Sequence, residues 1–433
     1  MGNQDIYVGL DIGTTSIKVI VAEYIQGQMN IIGVGSQRSA GLSRGVIVDI
    51  DKAVMAIRQA VSQAEEKASI KIDSVVVGVP ANMLQIESVS GMIAVGDASK
   101  EITDEDVKAV AAAALVRNLP PERESLSLTP TEFIVDGFDD IKDPRGMIGV
   151  RLEMRGILFT VPKTVLHNTK KALSKAGLSI RTVVINPLAT AQVALSDGEQ
   201  DFGTVLIDVG GGQSTAAVIH DHKLKFTFED PEGGEFVTKD ISVVLNSGFK
   251  DAEKLKRDYG NADSLATHED NTFPVTVVGK TEPVMISEKY LSEIIEARLG
   301  QIFKRINAAL QQANALDLPG GIVITGGTTA IPGITELARD IFNHQVRVFI
   351  PNEMGLRHPA FTQALGLIQY AAHLTDIDQL VASVLPNSQA VGNASEPKPT
   401  AMPKPAAKPA TDEPDTTEKK PNALRRFFGN FFE

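Results

Sequence analysis

Residues 207–215 read Ile207-Asp208-Val209-Gly210-Gly211-Gly212-Gln213-Ser214-Thr215, and residues 10–18 read Leu10-Asp11-Ile12-Gly13-Thr14-Thr15-Ser16-Ile17-Lys18. Each stretch is a short apolar strand, an Asp, a tip rich in Gly or Thr, and a returning strand. One such copy is weak evidence, because Asp-x-Gly-Thr turns join ordinary hairpins. Two copies about 200 residues apart predict two similar half-domains facing each other, each aiming a tight turn at a shared cleft. Glycine lets backbone N–H groups approach an oxyanion closely and hydroxyls add donors, so both tips suit phosphates. Asp11 and Asp208 stand where the metal ion of a polyphosphate and its waters belong. This is the layout of a two-lobed, nucleotide-binding α/β ATPase.

The 433 residues are 43% hydrophobic, enough for two or more cores. A net charge of -12 with no long basic stretch argues against nucleic acid as a partner. Having no Cys, the chain can form neither disulfides nor thiolate metal sites, which fits a reducing cytoplasm. No secretory h-region precedes the first strand, and no run of about 18 apolar residues is present to span a bilayer. The expectation is a soluble chain, or one lying on a membrane surface.

Apolar runs at 6–10, 17–23 and 30–35 predict a meander. A helix over 50–67 follows, with Val54, Ile57 and Val61 on one face, and then a buried strand over 73–80. Residues 83–161 change character and predict an inserted subdomain. It holds a hairpin-like start, a helix over 104–117 with Thr103 and Asp106 as a capping pair, and strands over 126–135 and 154–161. The main fold resumes with a helix over 163–176, a strand over 181–185 and a helix opened by Asn186-Pro187. The second half repeats the plan: strands over 204–207, 215–220 and 223–228, a mixed insertion over 229–299, a helix over 287–315 and a strand over 320–325.

Three further segments complete a nucleotide pocket. Gly233-Gly234-Glu235 opens a helix, and helix N-termini favour anionic or polar ligands. Glu253, Lys256 and Arg257 recur at helical spacing and share a face; taken alone, such a face is usually just solvated. Gly326-Gly327-Thr328 follows a strand and lets a flat adenine or ribose approach backbone, although an ordinary strand-to-helix turn reads the same way.

In this order the segments are similar to those of the actin/chaperone/sugar-kinase ATPase superfamily. In detail the chain resembles the FtsA family of bacterial cell-division proteins, over about residues 5–386 and the final helix. The resemblance rests on RSAGLSRGVIVDID (38–51), the Asp-Pro-Arg-Gly-Met run of 143–153, NPLATA (186–191), IDVGGGQST, GGEFVTKDIS and ITGGTTAIPG. It implies an actin-like fold of two RNase H-like halves. Subdomain 1A would span 1–82 and 163–195, 1C 83–162, 2A 196–227 and 300–386, and 2B 228–299. A disordered linker over 387–420 and an amphipathic membrane-targeting helix over 421–433 would follow. Only about fifteen residues join the first meander to the helix at Ile50, leaving no room for the subdomain that actins and DnaK-type chaperones insert there.

On matching positions the resemblance implies ATP and Mg²⁺ as cofactors. Asp11 and Asp208 would organise Mg²⁺ through its waters. Gly13, Thr14 and Thr15, with Gly210, Gly211, Gly212, Gln213, Ser214 and Thr215, would cradle the phosphates, and Lys18 would touch one. Glu253, Lys256 and Arg257 match ribose and adenine contacts, beside the opening turn Gly233, Gly234 and Glu235; Gly326, Gly327 and Thr328 match the adenosine motif. Two positions depart from the relatives. Asn186 stands where they carry the Gln or Glu that positions the attacking water; an amide orients water but is no base. Gln213 replaces a Thr common after the third glycine. The expectation is ATP as a mainly structural ligand, with slow hydrolysis at most.

Composition shifts after about residue 386: 388–420 are rich in Pro, Ala, Lys, Ser and Thr, as in a disordered linker. Beyond it, Leu424, Phe427, Phe428, Phe431 and Phe432 fall on one helical face, with Arg426 opposite and Arg425 at its flank. Each basic residue near an anionic leaflet adds about 1 kcal/mol, giving one tail weak, reversible binding that a filament would multiply. A partner's groove or the chain's own core are other seats for this face; the linker and basic flank favour an anionic lipid membrane.

The resemblance further implies self-polymerisation at the inner face of the cytoplasmic membrane. The chain would anchor the FtsZ ring, with the FtsZ C-terminal peptide on 2B and other division proteins on 1C. A small-molecule kinase of the same fold would need a base Asp near the cleft, and none is identified. A pilus-assembly relative would not need the Phe-rich tail, and a chaperone would need a substrate-binding domain after the core.

Overall fold

The computed structural model describes residues 5–96 and 100–385. Two five-stranded sheets with one plan form the centres of two lobes. In the first, strands Ser179–Ile185, Ser74–Val79, Asp5–Ile12, Ser16–Ile25 and Gln28–Arg38 lie side by side in that order. In the second, the order Val346–Val348, Ile322–Thr325, Thr204–Val209, Ser214–His220 and Lys223–Asp230 reproduces it. Each lobe starts with an antiparallel meander, and the other two strands join in parallel. A parallel partner requires a crossover. Helices Ile50–Ala68 and Glu288–Gln312 supply it for the two inner strands. Their apolar faces, Val54, Ile57 and Val61 in one and Leu299, Ile302 and Ile306 in the other, cover the sheets.

The repeated meanders place the two aspartates alike. Asp11 is paired with Lys18 near the end of the first hairpin, and Asp208 with Thr215 near the end of the second. The hairpin tips that follow are the two glycine- and threonine-bearing turns.

The insertion after the first lobe is a four-stranded antiparallel sheet, ordered Gln85–Ala94, Arg151–Pro162, Arg123–Val135 and Phe138–Ile141. Helix Asp104–Ala114 covers it and starts at the expected capping box of Thr103 and Asp106. The short fourth strand turns at Asp136-Gly137, both at positive φ, the geometry that an Asp-Gly hairpin turn requires. In the second lobe the insertion holds helices Gly234–Val244 and Phe249–Tyr259 and a hairpin of Thr272–Val275 with Val284–Ser287.

Two expected boundaries move. The division between 2B and 2A at 299/300 falls inside one unbroken helix, Glu288–Gln312, capped by Ser287. Its Leu291, Ile295, Ile302 and Ile306 all belong to one core, which also holds Val237 and Phe273 of the insertion and Ile324 and Phe342 of the lobe. Nor do residues 362–385 belong to 2A. Helix Thr362–Ala372 lies against strand Asp5–Ile12 of the first lobe and helix Asn186–Ala194. Helix Asp376–Ser383, opened by a capping box of Thr375 and Asp378, packs on helix Asp104–Ala114 and strand Arg123–Val135 of the insertion. Its Ile377 and Val381, with Leu385, recur at helical spacing and share a core with Val107, Val110 and Leu128. The linker and tail, 387–433, lie outside the described residues.

Candidate functional site

The two turns meet across a cleft that is open to solvent. Asp11, Gly13, Thr14, Thr15 and Lys18 line it from the first lobe; Asp208, Gly210, Gly211, Gly212, Gln213 and Thr215 line it from the second. The tips touch: a Cβ at Gly211 would lie 2.2 Å from the Thr15 methyl, and one at Gly212 2.3 Å from the Thr14 methyl. Only glycine permits that approach. Ser214 departs from the group, because it is fully buried and its hydroxyl donates to the Glu232 carbonyl at 2.9 Å.

The two aspartates have different surroundings. Asp11 is buried, with Oδ2 accepting from Lys18 Nζ at 3.1 Å and Oδ1 from Gln363 Nε2 at 2.6 Å. Lys18 is therefore engaged by a carboxylate as well as lining the cleft. Burial, and secondarily the charge of Asp11, pushes the Asp208 carboxyl up to about 6, against the pull of Lys18. Its unfavourable ionisation is the state that a cation in the cleft would relieve. Gly326 is essential to its placement, since a Cβ there would lie 2.1 Å from Asp208 Oδ1. No group of three or more His, Cys, Asp or Glu forms a metal cage among the described residues. A cation held by Asp11 and Asp208 would keep most of its waters.

Asn186 opens its helix and lines the cleft; its Oδ1 is buried without a hydrogen-bond donor. A buried acceptor of this kind is an incomplete site, and a water or hydroxyl from the cleft would complete it. The glycine cradle, the unrelieved Asp208 and this orphan acceptor together fit a nucleotide polyphosphate with its hydrated metal ion.

The other predicted segments gather behind the second turn. Gly234 and Glu235 N–H groups donate to the Gly210 and Gly211 carbonyls at 3.0 and 2.8 Å, and the Thr328 hydroxyl donates to Gly210 at 2.8 Å. Gly233 packs on the same carbonyls, whereas Gly326 and Gly327 line the cleft itself. The helix start at Gly233 thus braces the loop with its own donors. Lys256 is not on a solvated face: it is buried, donating to the Gly234 carbonyl at 2.9 Å and to Thr238 at 2.7 Å, and pairing with Glu253 at 2.7 Å. Burial lowers the Lys256 ammonium, partly offset by Glu253. Arg257 is exposed and pairs with the same Glu253 at 2.7 Å.

Gln363, Pro359, Ala360 and Gly45 also line the cleft. The first three follow the last strand and carry no glycine-loop signature. Gly45 lies within the 38–51 segment, where the Ser-Arg-Gly run is a recognisable turn.

The model of the family described as "Cell division protein FtsA" matches residues 205–366, and that of the "SHS2 domain inserted in FTSA" matches 81–160. The cell division protein FtsA of Enterococcus faecalis is 52% identical over 443 aligned positions, covering all of both chains. That of Enterococcus hirae is 59% identical over 380, covering 88% of this chain and 86% of the relative. Among solved structures, the PilM–PilN type IV pilus biogenesis complex aligns with a TM-score of 0.58 at 15% identity, over 85% of this chain and 99% of that one. MreB5 of Spiroplasma citri bound to ADP aligns with a TM-score of 0.52 at 14% identity, over 83% and 94%. At such identities these two show the fold, which is the actin-like ATPase fold.

Proposed function

The chain belongs to the FtsA family of cell-division proteins, and from that premise we propose that it is an ATP-binding adaptor that polymerises at the inner face of the cytoplasmic membrane and anchors the FtsZ ring. The observation that carries the nucleotide reading is the meeting of two glycine- and threonine-bearing turns over one carboxylate that burial keeps reluctant to ionise. In this reading Gly13–Thr15, with Gly210, Gly211, Gly212, Gln213 and Thr215, take the phosphates, Asp11 and Asp208 hold hydrated Mg²⁺, and Gly326 and Gly327 face the adenosine, with Ser214 and Thr328 bracing the loop from behind. When bound, Mg²⁺ would neutralise phosphate charge.

Asn186 can orient a water but cannot take its proton, so turnover is slow and ATP acts mainly by closing the cleft. The FtsZ C-terminal peptide docks on the second-lobe insertion, and other division proteins on the first. The bilayer contact falls to the tail: Leu424, Phe427, Phe428, Phe431 and Phe432 enter the interface while Arg425 and Arg426 meet anionic headgroups. Among the described residues no helix is long and apolar enough to cross a membrane. The pilus-assembly alternative is not favoured, because its neighbour shares the fold at 15% identity while the two Enterococcus FtsA relatives match at 59% and 52%.

Co-flotation with anionic liposomes tests the proposal, comparing the full chain with one ending at Lys420, each with and without ATP·Mg²⁺. Flotation of the full chain alone, increased by ATP, is the expected result. If both forms stay in solution while ATP binds, the Phe face belongs to a protein partner and the anchor reading fails.

A further inference from the structure

Ser43-Arg44-Gly45 has no part in the reading above. It forms the turn of a small hairpin, Leu42–Ser43 with Val46–Ile47. Arg44 and Gly45 stand at φ of 48° and 73°, as a two-residue hairpin turn requires. The turn touches three parts of the molecule at once. Its Gly45 N–H donates to Thr14 Oγ1 of the first phosphate turn at 2.7 Å. A Cβ on Gly45 would lie 2.8 Å from Oε1 and 3.0 Å from Nε2 of Gln213, in the second phosphate turn. The Arg44 carbonyl accepts from Asn82 Nδ2 at 2.9 Å.

Asn82 and Gln213 also face each other as an amide pair. Asn82 Nδ2 lies 3.5 Å from Gln213 Oε1, and Gln213 Nε2 lies 3.3 Å from Asn82 Oδ1. Asn82 stands where the chain leaves the first lobe for its insertion. The next carbonyl, that of Met83, accepts from Arg123 Nη2 at 2.9 Å. Arg123 is buried and also holds the Thr160 hydroxyl and carbonyl at 3.0 and 2.6 Å. A path of hydrogen bonds and one backbone step, Asn82 to Met83, therefore runs from the second phosphate turn to the roots of all three long strands of the insertion.

We infer that Gln213 is a positioning residue that ties the second phosphate turn to the root of the inserted subdomain through Asn82, so that cleft occupancy and the hold on that subdomain are coupled. The pair spans the two lobes, and at 3.3–3.5 Å it sits at the long edge of hydrogen bonding, so a small opening of the cleft breaks it. The Arg123 web is short and buried, so a displacement of Asn82 is passed on to the strands. A Thr at 213 would lack both the amide and the reach. The nucleotide half of this inference rests on the proposed function.

Hydrogen exchange at residues 83–86 and 123–126 tests it, in the parent, Gln213→Ala, Asn82→Ala and the double variant, without nucleotide and with ATP·Mg²⁺. Each single variant should speed exchange at this root on the order of three- to tenfold without nucleotide, as for a lost neutral hydrogen bond. The double should exceed the larger single by little. ATP·Mg²⁺ should slow root exchange in the parent but not in Asn82→Ala, which still binds a fluorescent ATP analogue. Additive single effects, unchanged root exchange, or ATP protection that survives in Asn82→Ala each overturn the inference. A parent chain that binds no ATP overturns the proposed function instead. The clasp itself is then upheld by non-additivity in the nucleotide-free cycle, or sunk by its absence.

Discussion

Gln363 donates a 2.6 Å hydrogen bond to one oxygen of Asp11, whose other oxygen accepts from Lys18. The carboxylate is thus clamped by Lys18 from its own hairpin and by Gln363, 352 positions from Asp11 in sequence, on the helix Thr362–Ala372 that crosses behind it. Replacing Gln363 with Leu removes a hydrogen bond to a charged group, worth about 1.5–3 kcal/mol. The expected outcome is a lower melting temperature and a several-fold weaker Mg²⁺-dependent part of ATP affinity, with affinity in EDTA little changed. An equal loss in both conditions would mean that Gln363 only supports the fold.

Asp208→Lys should abolish binding of a fluorescent ATP analogue. The substitution places an ammonium beside Lys18 and removes the carboxylate against which Gly326 packs. Circular dichroism shows whether the fold survives. Unchanged affinity in a folded variant would take Asp208 out of the site.

Much of this site could be read from the chain because its chemistry is local. Strand–Asp–glycine turns recur, and two copies of a pattern constrain a fold more than either alone. Gly326-Gly327 was legible for the same reason, as glycines directly after an apolar strand. Gln363 was not: it sits in the mostly apolar run Phe361–Leu367, and only the helix crossing brings it to Asp11. The placement of 362–385 escaped for a related reason. The periodicity of Ile377 and Val381 marks an amphipathic helix, but nothing local says that its partner is the insertion near residue 107 rather than the adjoining second lobe.

Val381 is fully buried in that contact. Val381→Ala should cost about 1–3 kcal/mol, and Val381→Asp more, since the charge would lack a partner. The loss should be local: amide protection in Asp104–Ala114 falls, while that in the second-lobe helix Glu288–Gln312 holds. Equal loosening of both helices, or of neither, would show that Asp376–Ser383 does not complete the insertion's core.

Glu229 predicts a pH dependence. It lies on strand Lys223–Asp230 opposite Thr215, which lines the cleft, and its Oε1 is buried without a donor. Burial alone pushes its carboxyl from an ordinary 4.5 up to about 8. The folded state therefore binds more protons than the unfolded state between these values. The stability from this group is fully present below about 4.5 and is lost as pH rises through about 8. Each pH unit of full linkage is worth about 1.4 kcal/mol, so the whole window amounts to a few kcal/mol at most. Glu229→Gln keeps the shape and cannot ionise. In urea unfolding at pH 5, 6.5 and 8, the parent should lose stability steadily with rising pH, and the variant should lose much less. Because the rise at Asp208 acts in the same direction and is present in both chains, the difference between the two curves isolates Glu229. Parallel curves would mean that the carboxylate finds a proton donor or water that lets it ionise normally.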